Sequence, residues 1–222
     1  MAHLVPDATA VQVRVGGDLI EGDLLVPAAA GLVVFAHGSG SSRFSGRNRA
    51  VALVLHRAGY ATLLMDLLTR QEETIDIATR EYRFDIERLG RRVTAALDWA
   101  QGQPLLAALP AGCFGASTGA AAALIAAAER PDLVRAVISR GGRPDLAGDA
   151  LPRVQAPTLL IVGGHDEQVI ALNRAAMRRV RAPVQLAIVP GATHLFEEPG
   201  ALEAVSRLAA DWCDQHLRRT PG

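Results

Sequence analysis

The sequence predicts an α/β fold, a mainly parallel sheet with helices on both faces. Three observations carry that prediction. Short, continuous apolar runs recur along the chain, as expected of strands covered on both sides. Segments with apolar residues at helical spacing separate them. After an opening hairpin the two kinds of segment mostly alternate, which is the pattern of right-handed strand–helix–strand crossovers.

The elements follow in order. Residues 11–15 and 19–26 alternate polar and apolar positions (Val11, Val13, Val15, then Ile20 and Leu24) around Gly16-Gly17-Asp18, and read as an antiparallel hairpin with one wet face. Residues 32–36 are a buried strand, and 48–57 a helix with apolar residues at 51, 54, 55 and 58. Residues 61–65 are a second buried strand ending at Asp66. The stretch 67–83 is polar and without clear period, so it is expected to be irregular, with scope for a partial lid. Residues 85–100 place Ile86, Leu89, Val93, Ala96, Leu97 and Ala100 on one helix face. Strands at 111–114, 134–139, 158–162 and 184–189 alternate with helices at 120–130, 169–180 and 201–217. Pro157 sits where a strand begins.

Composition bounds the function. The chain has 222 residues, half of them hydrophobic, enough for one full core without a linker, so a single domain over 1–222 is expected. Basic and acidic residues balance at 23 each, which gives no footprint for nucleic acid. Residues 1–10 lack the basic start and apolar core of a secretory signal. The longest apolar stretch, near 120–128, is too short and alanine-rich for a membrane span. These features point to a cytoplasmic protein. Two cysteines, Cys113 and Cys213, make neither a disulfide framework nor a metal cluster. Cys113 reads as a small buried hydrophobe.

In a parallel sheet, ligands gather outside the carboxyl ends of the strands. Four loops there carry chemistry: His37-Gly38-Ser39-Gly40, Gly115-Ala116-Ser117-Thr118-Gly119, Gly163-Gly164-His165-Asp166 and Gly191-Ala192-Thr193-His194. The second is a Gly-x-Ser-x-Gly pentapeptide between a strand and a helix, the setting in which a serine projects from a sharp turn. A serine hydroxyl is a poor nucleophile until a base accepts its proton. His194 supplies the base and Asp166 the acid that orients it. The backbone N–H groups of Thr118 and Ser39 are the expected donors to a tetrahedral oxyanion. Asp145 and Glu167 compete with Asp166. Glu167 reads instead as the first turn of a helix, where the dipole favours an acid. His165 is expected to be exposed.

Taken together, these four motifs resemble the α/β-hydrolase superfamily and, within it, its small dienelactone-hydrolase-like members. The resemblance covers almost the whole chain. It implies an eight-stranded sheet with the first strands antiparallel, hydrolysis through an acyl-enzyme, no metal or organic cofactor, and a structural role for His37 in packing the oxyanion loop. Two departures shape the expectation. Dienelactone hydrolases proper carry a cysteine where this chain has Ser117, and Cys113, inside the strand, cannot replace it, so the lactone substrate is not carried over. Only residues 140–156 follow the strand where many α/β-hydrolases insert a helical cap, too few for a sizeable one.

The expected partner is a small ester, thioester or lactone. Arg140, after a buried strand, is read as either half of an ion pair with Asp145 or Asp66, or a clamp for a substrate carboxylate. Arg43 lies where it could reach the same rim, while Arg47 and Arg49 are expected to be solvated. Acyl transfer to an acceptor other than water, and a catalytically silent binding protein on the same fold, are the rival readings.

Overall fold

The computed structural model describes residues 8–218. Its strands are β1 (Thr9–Val15), β2 (Asp18–Leu25), β3 (Leu32–Ala36), β4 (Ala61–Met65), β5 (Ala111–Ala116), β6 (Val134–Arg140), β7 (Thr158–Gly163) and β8 (Val184–Val189). They form one eight-stranded sheet in the order β1-β2-β4-β3-β5-β6-β7-β8. The hairpin β1–β2 is antiparallel and β2 joins β4 antiparallel. Every later pairing is parallel. β3, β4, β5 and β7 are buried along their whole length, which is why they read as unbroken apolar runs.

The helices are α1 (Gly46–Arg57), α2 (Arg70–Thr79), α3 (Ile86–Gln101), α4 (Thr118–Glu129), α5 (Glu167–Met177) and α6 (Ala201–His216). Two cores result. On one face Val34, Leu63, Cys113 and Val137 of the sheet pack with Leu97 of α3 and Leu124 of α4. On the other Phe35, Phe114, Ile138 and Leu159 pack with Leu55 of α1 and Val205 and Trp212 of α6. Phe35 and Phe114 stack there with ring centroids 4.8 Å apart. α4 is buried nearly all round, and its alanines let neighbours approach closely. Gly90 of α3 makes that approach possible, because a Cβ there would come within 2.6 Å of Ile125.

Residues 140–156 form no cap. They hold a 3₁₀ segment, Pro144–Arg153, kinked at Gly148 with φ 52°. The stretch 67–83 departs from expectation, since it contains α2. The reason for its missing period is that α2 turns acids inward, leaving Ile75 and Ile77 exposed. Thr69 and Glu72 form a reciprocal capping box. Glu72 pairs with Arg88 and, at 2.9 Å, with Arg92, which also reaches Asp18. Asp76 accepts from the N–H groups of Tyr82 and Arg83 and from Arg83 Nε at 2.7 Å. Burial pushes the Asp76 carboxyl up, but these donors outweigh it and hold it below the usual aspartate range.

Removing the cap with Thr69→Ala is expected to lower stability by about 1 kcal/mol in urea unfolding. Asp76→Asn, which strands Arg83, is expected to cost about 3 kcal/mol at neutral pH. Because the folded value is depressed, the Asp76 contribution is complete above the unfolded pKa and is lost as pH falls through the folded one. The gap between wild type and Asp76→Asn should therefore close below about pH 4.

Candidate active site

Ser117 sits between β5 and α4 with φ 51° and ψ −122°, a region that a residue with a side chain rarely adopts. Its backbone is pinned on both sides. Its N–H donates to Arg140 O at 3.2 Å, and its carbonyl accepts from Arg143 N at 3.0 Å and Ala120 N at 3.1 Å. Three glycines allow the turn. A Cβ on Gly115 would overlap the Ala120 backbone, and one on Gly119 would overlap the carbonyls of Ala36 and His37. One on Gly38 would come within 3.0 Å of Ser117 Cβ. The Ser117 hydroxyl makes no capping bond to α4.

Asp166 and His194 arrive from the loops after β7 and β8. Asp166 occupies the N-cap position of α5, yet its carboxylate does not cap the helix. It turns to His194, with Oδ2 2.6 Å from Nδ1. Asp166 is mostly buried and His194 is 41 % exposed, so the imidazole is anchored at its inner nitrogen and open at its outer one. Gly163 lets the two loops meet, since a Cβ there would come within 2.5 Å of the carbonyls of Ala192 and Thr193. The His194 loop is also tied by Glu198, which accepts from Thr193 N at 3.0 Å and Thr193 Oγ1 at 2.6 Å. The His194 ring lies over Gly141, directly after the Arg140 carbonyl that holds Ser117. Among the described residues, His194 Nε2 and Ser117 Oγ have no hydrogen-bond partner.

The loop at residues 37–41 lies against the turn. Ser39 Oγ and Thr118 Oγ1 are 2.9 Å apart, and neither residue's N–H has a backbone acceptor among the described residues. His37 is buried beneath. Its Nδ1–H donates to Gly38 O at 2.9 Å and its Nε2 accepts from Leu67 N at 3.0 Å, and burial lowers its pKa. A neutral imidazole held at both nitrogens packs the loop and is not the base.

Two arginines stand differently from expectation. Arg43 does not reach the rim as a free cation. Its guanidinium pairs with Asp66, with Glu21 at 2.7 Å and with Asp23 at 3.5 Å, and its N–H donates to Asp66 at 2.8 Å. Three carboxylates absorb it, and it ties the oxyanion loop to β2 and the end of β4. Arg140 has neither expected ion pair, because Asp66 is held by Arg43 and Asp145 by Arg143 at 2.8 Å. Arg49 pairs with Asp23 at 2.9 Å and Arg47 with Glu197 at 3.1 Å. Arg83, not singled out from sequence, backs the site: its carbonyl meets Ser39 Oγ at 3.5 Å. Cys113 is fully buried and its thiol is pushed up to about 12, so it is no thiolate nucleophile. Among the described residues no group of three or more His, Cys, Asp or Glu is placed to hold a metal, and no helix is long and apolar enough to cross a membrane.

An eight-stranded, mainly parallel sheet with these loops at its carboxyl edge defines the α/β-hydrolase class. The sequence model of the dienelactone hydrolase family matches residues 20–216, and the chain belongs to that family. A crystal structure of a dienelactone hydrolase from Anabaena variabilis is 57 % identical, with a TM-score of 0.94 over 96 % of this chain and 99 % of that one. Est1E from Butyrivibrio proteoclasticus shares the fold at 18 % identity, with a TM-score of 0.74 over 92 % of this chain and 99 % of that one. A Mycobacterium tuberculosis protein provisionally named a phosphoribosyl transferase is 58 % identical over 208 residues, covering 93 % of this chain. The chain spans 46 % of that relative's length.

The positive φ at residue 117 makes a separable prediction. Ser117→Gly should be more stable than Ser117→Ala by about 1 kcal/mol in urea unfolding, since both lack the hydroxyl and only glycine tolerates the turn.

Proposed function

We propose that the protein is a serine-dependent hydrolase of a small carboxylic ester, thioester or lactone, working through an acyl-enzyme. The observation that carries this reading is the Asp166–His194 hydrogen bond, formed beside a strained serine whose hydroxyl is free. Its membership of a hydrolase family supports it.

In this reading His194 Nε2 takes the Ser117 proton as Oγ attacks the acyl carbon. Asp166 holds the tautomer with Nδ1 protonated and stabilises the imidazolium that forms. The N–H groups of Ser39 and Thr118 receive the developing oxyanion, at the positive end of α4. Collapse of the tetrahedral intermediate breaks the ester bond, and His194 returns its proton to the leaving alcohol or thiol. Water then attacks the acyl-enzyme with His194 again as base, releasing the acid and restoring the Ser117 hydroxyl. An alcohol or amine in place of water would make the same chemistry acyl transfer. The transferase name carried by the mycobacterial relative describes a protein about twice as long as this chain. The partner is accordingly a small-molecule ester, with no nucleic acid or membrane surface needed.

Hydrolysis of p-nitrophenyl acetate and butyrate tests this. Ser117→Ala and His194→Ala should each lower kcat/KM by about 10³-fold or more, and Asp166→Asn by at least about 10²-fold. A fluorophosphonate should label Ser117 in wild type. Turnover that survives in Ser117→Ala, or absence of both turnover and labelling in wild type, would contradict the assignment.

A further inference from the structure

The sheet ends at β8, which pairs with β7 on one side and with no strand on the other among the described residues. The ladder fixes which of its groups face outward. Thr158 N–H donates to Pro183 O at 2.9 Å, and Gly164 N–H to Val189 O at 2.8 Å. Backbone direction alternates along a strand, so residues 183, 185, 187 and 189 serve β7. Val184, Leu186 and Ile188 therefore turn their N–H and C=O groups to the open edge. Their side chains share one face of the sheet. They belong to neither hydrophobic core, whereas Ala187 and Val189 pack into the core that holds α1 and α6. Ile188 is 38 % exposed, and Val184 and Leu186 are half-buried.

Folded proteins blunt such edges with charge, proline, a bulge or a covering helix. β1, at the far end of the sheet, carries Arg14 and packs against α3. β8 carries no charge and no proline, and its register with β7 is unbroken from Val184 to Val189. The next outward position is Pro190, which has no N–H, so the usable edge ends at Ile188. This outward set is symmetric about Leu186. When two copies pair antiparallel, Leu186 faces Leu186 and Val184 faces Ile188, each in hydrogen-bonded register. Their apolar side chains then meet on one face of the joined sheet. Charge is segregated along the same edge. Toward the amino end of β8, Arg174, Arg178 and Arg181 are exposed and have no carboxylate partner among the described residues. Toward its carboxyl end, Glu167 and Glu203, in the first turns of α5 and α6, are exposed and equally unpaired. Antiparallel pairing sets the basic end of each copy beside the acidic end of the other, and parallel pairing would set like beside like.

We propose that β8 is a self-pairing edge, at which two copies of this chain join antiparallel about a two-fold axis at Leu186 and continue one sheet through the dimer. Such an interface uses the same patch on both copies, so it closes at two. β5, which leads to Ser117, lies three strands inward, so pairing at the edge leaves the carboxyl rim of the sheet uncovered. The pairing is independent of the chemistry at Ser117.

Sedimentation velocity of the chain, from low to high micromolar concentration, should show a monomer–dimer equilibrium with no larger species. Leu186→Lys sets two like charges opposite each other and should weaken dimerisation about a hundredfold. Far-UV circular dichroism and thermal unfolding report whether that variant folds. If it does not, Arg178→Glu with Arg181→Glu, at exposed positions, stands in and should weaken the dimer about tenfold. Disulfide capture reads the register. The native thiols, Cys113 and Cys213, are buried. In this pairing the two Leu186 Cα atoms lie about 5.5 Å apart, within disulfide reach. Copper–phenanthroline oxidation should therefore link Leu186→Cys into dimers. Ile188→Cys, more exposed but roughly 14 Å from its copy, should link about tenfold more slowly. A monomer at every concentration overturns the self-pairing. So does faster linking at 188 than at 186, or a dimer unweakened by Leu186→Lys or, where that variant does not fold, by the arginine pair.

Discussion

The close approach of the Ser117 turn to the end of β3 is the constraint on which the site depends. Gly119 lies on the carbonyls of Ala36 and His37, Gly38 lies on Ser117, and Gly115 lies on the start of α4. Any side chain at these three points would push the loop at residues 37–41 away from β5 and the start of α4. Their contact brings Ser39 and Thr118 hydroxyls within 2.9 Å and leaves two N–H groups beside Ser117. The positive φ at Ser117 is the strain that this packing sustains. In the proposed reading these N–H groups, placed by backbone packing, would receive the oxyanion without rearrangement.

The rest of the fold keeps that contact in place. His37, neutral and buried, joins the oxyanion loop to Leu67 at the end of β4. Arg43 joins the same loop to Glu21, Asp23 and Asp66. α2 anchors through Asp76 and Arg83, and the Arg83 carbonyl faces Ser39. Opposite, Gly163 and Glu198 hold the loops that bring Asp166 and His194 together. Polar links of this kind cost desolvation and gain little net stability, but they fix loops that apolar packing alone would leave mobile.

Much of this was legible in the sequence. β3, β4, β5 and β7 are buried on both faces, so their apolar runs stand out, and Ser39, Ser117 and Asp166 come shortly after β3, β5 and β7, while His194 follows the more exposed β8. The order Ser117, Asp166, His194 was read from the loops after these strands, with Asp145 and Glu167 as competing acids. α2 was not legible by period, because its inner face is Glu72 and Asp76, although its capping box at Thr69 and Glu72 was a usable signal. The partners of charged residues were the least legible. Arg43 meets acids 22, 20 and 23 positions away, and nothing local predicts which one an arginine will choose. Local pairs could have been read, among them Arg143–Asp145, two residues apart, which would have left Arg140 without Asp145.

In the proposed mechanism Ser117 carries the acyl group during turnover. Mass spectrometry of protein quenched in acid during p-nitrophenyl acetate hydrolysis, with the digest mapped, tests it most directly. One acetyl group is expected on the peptide containing Ser117, accumulating in an initial burst and absent from Ser117→Ala. An adduct on another residue, or steady turnover with no adduct on Ser117 and undiminished rate in Ser117→Ala, would contradict it.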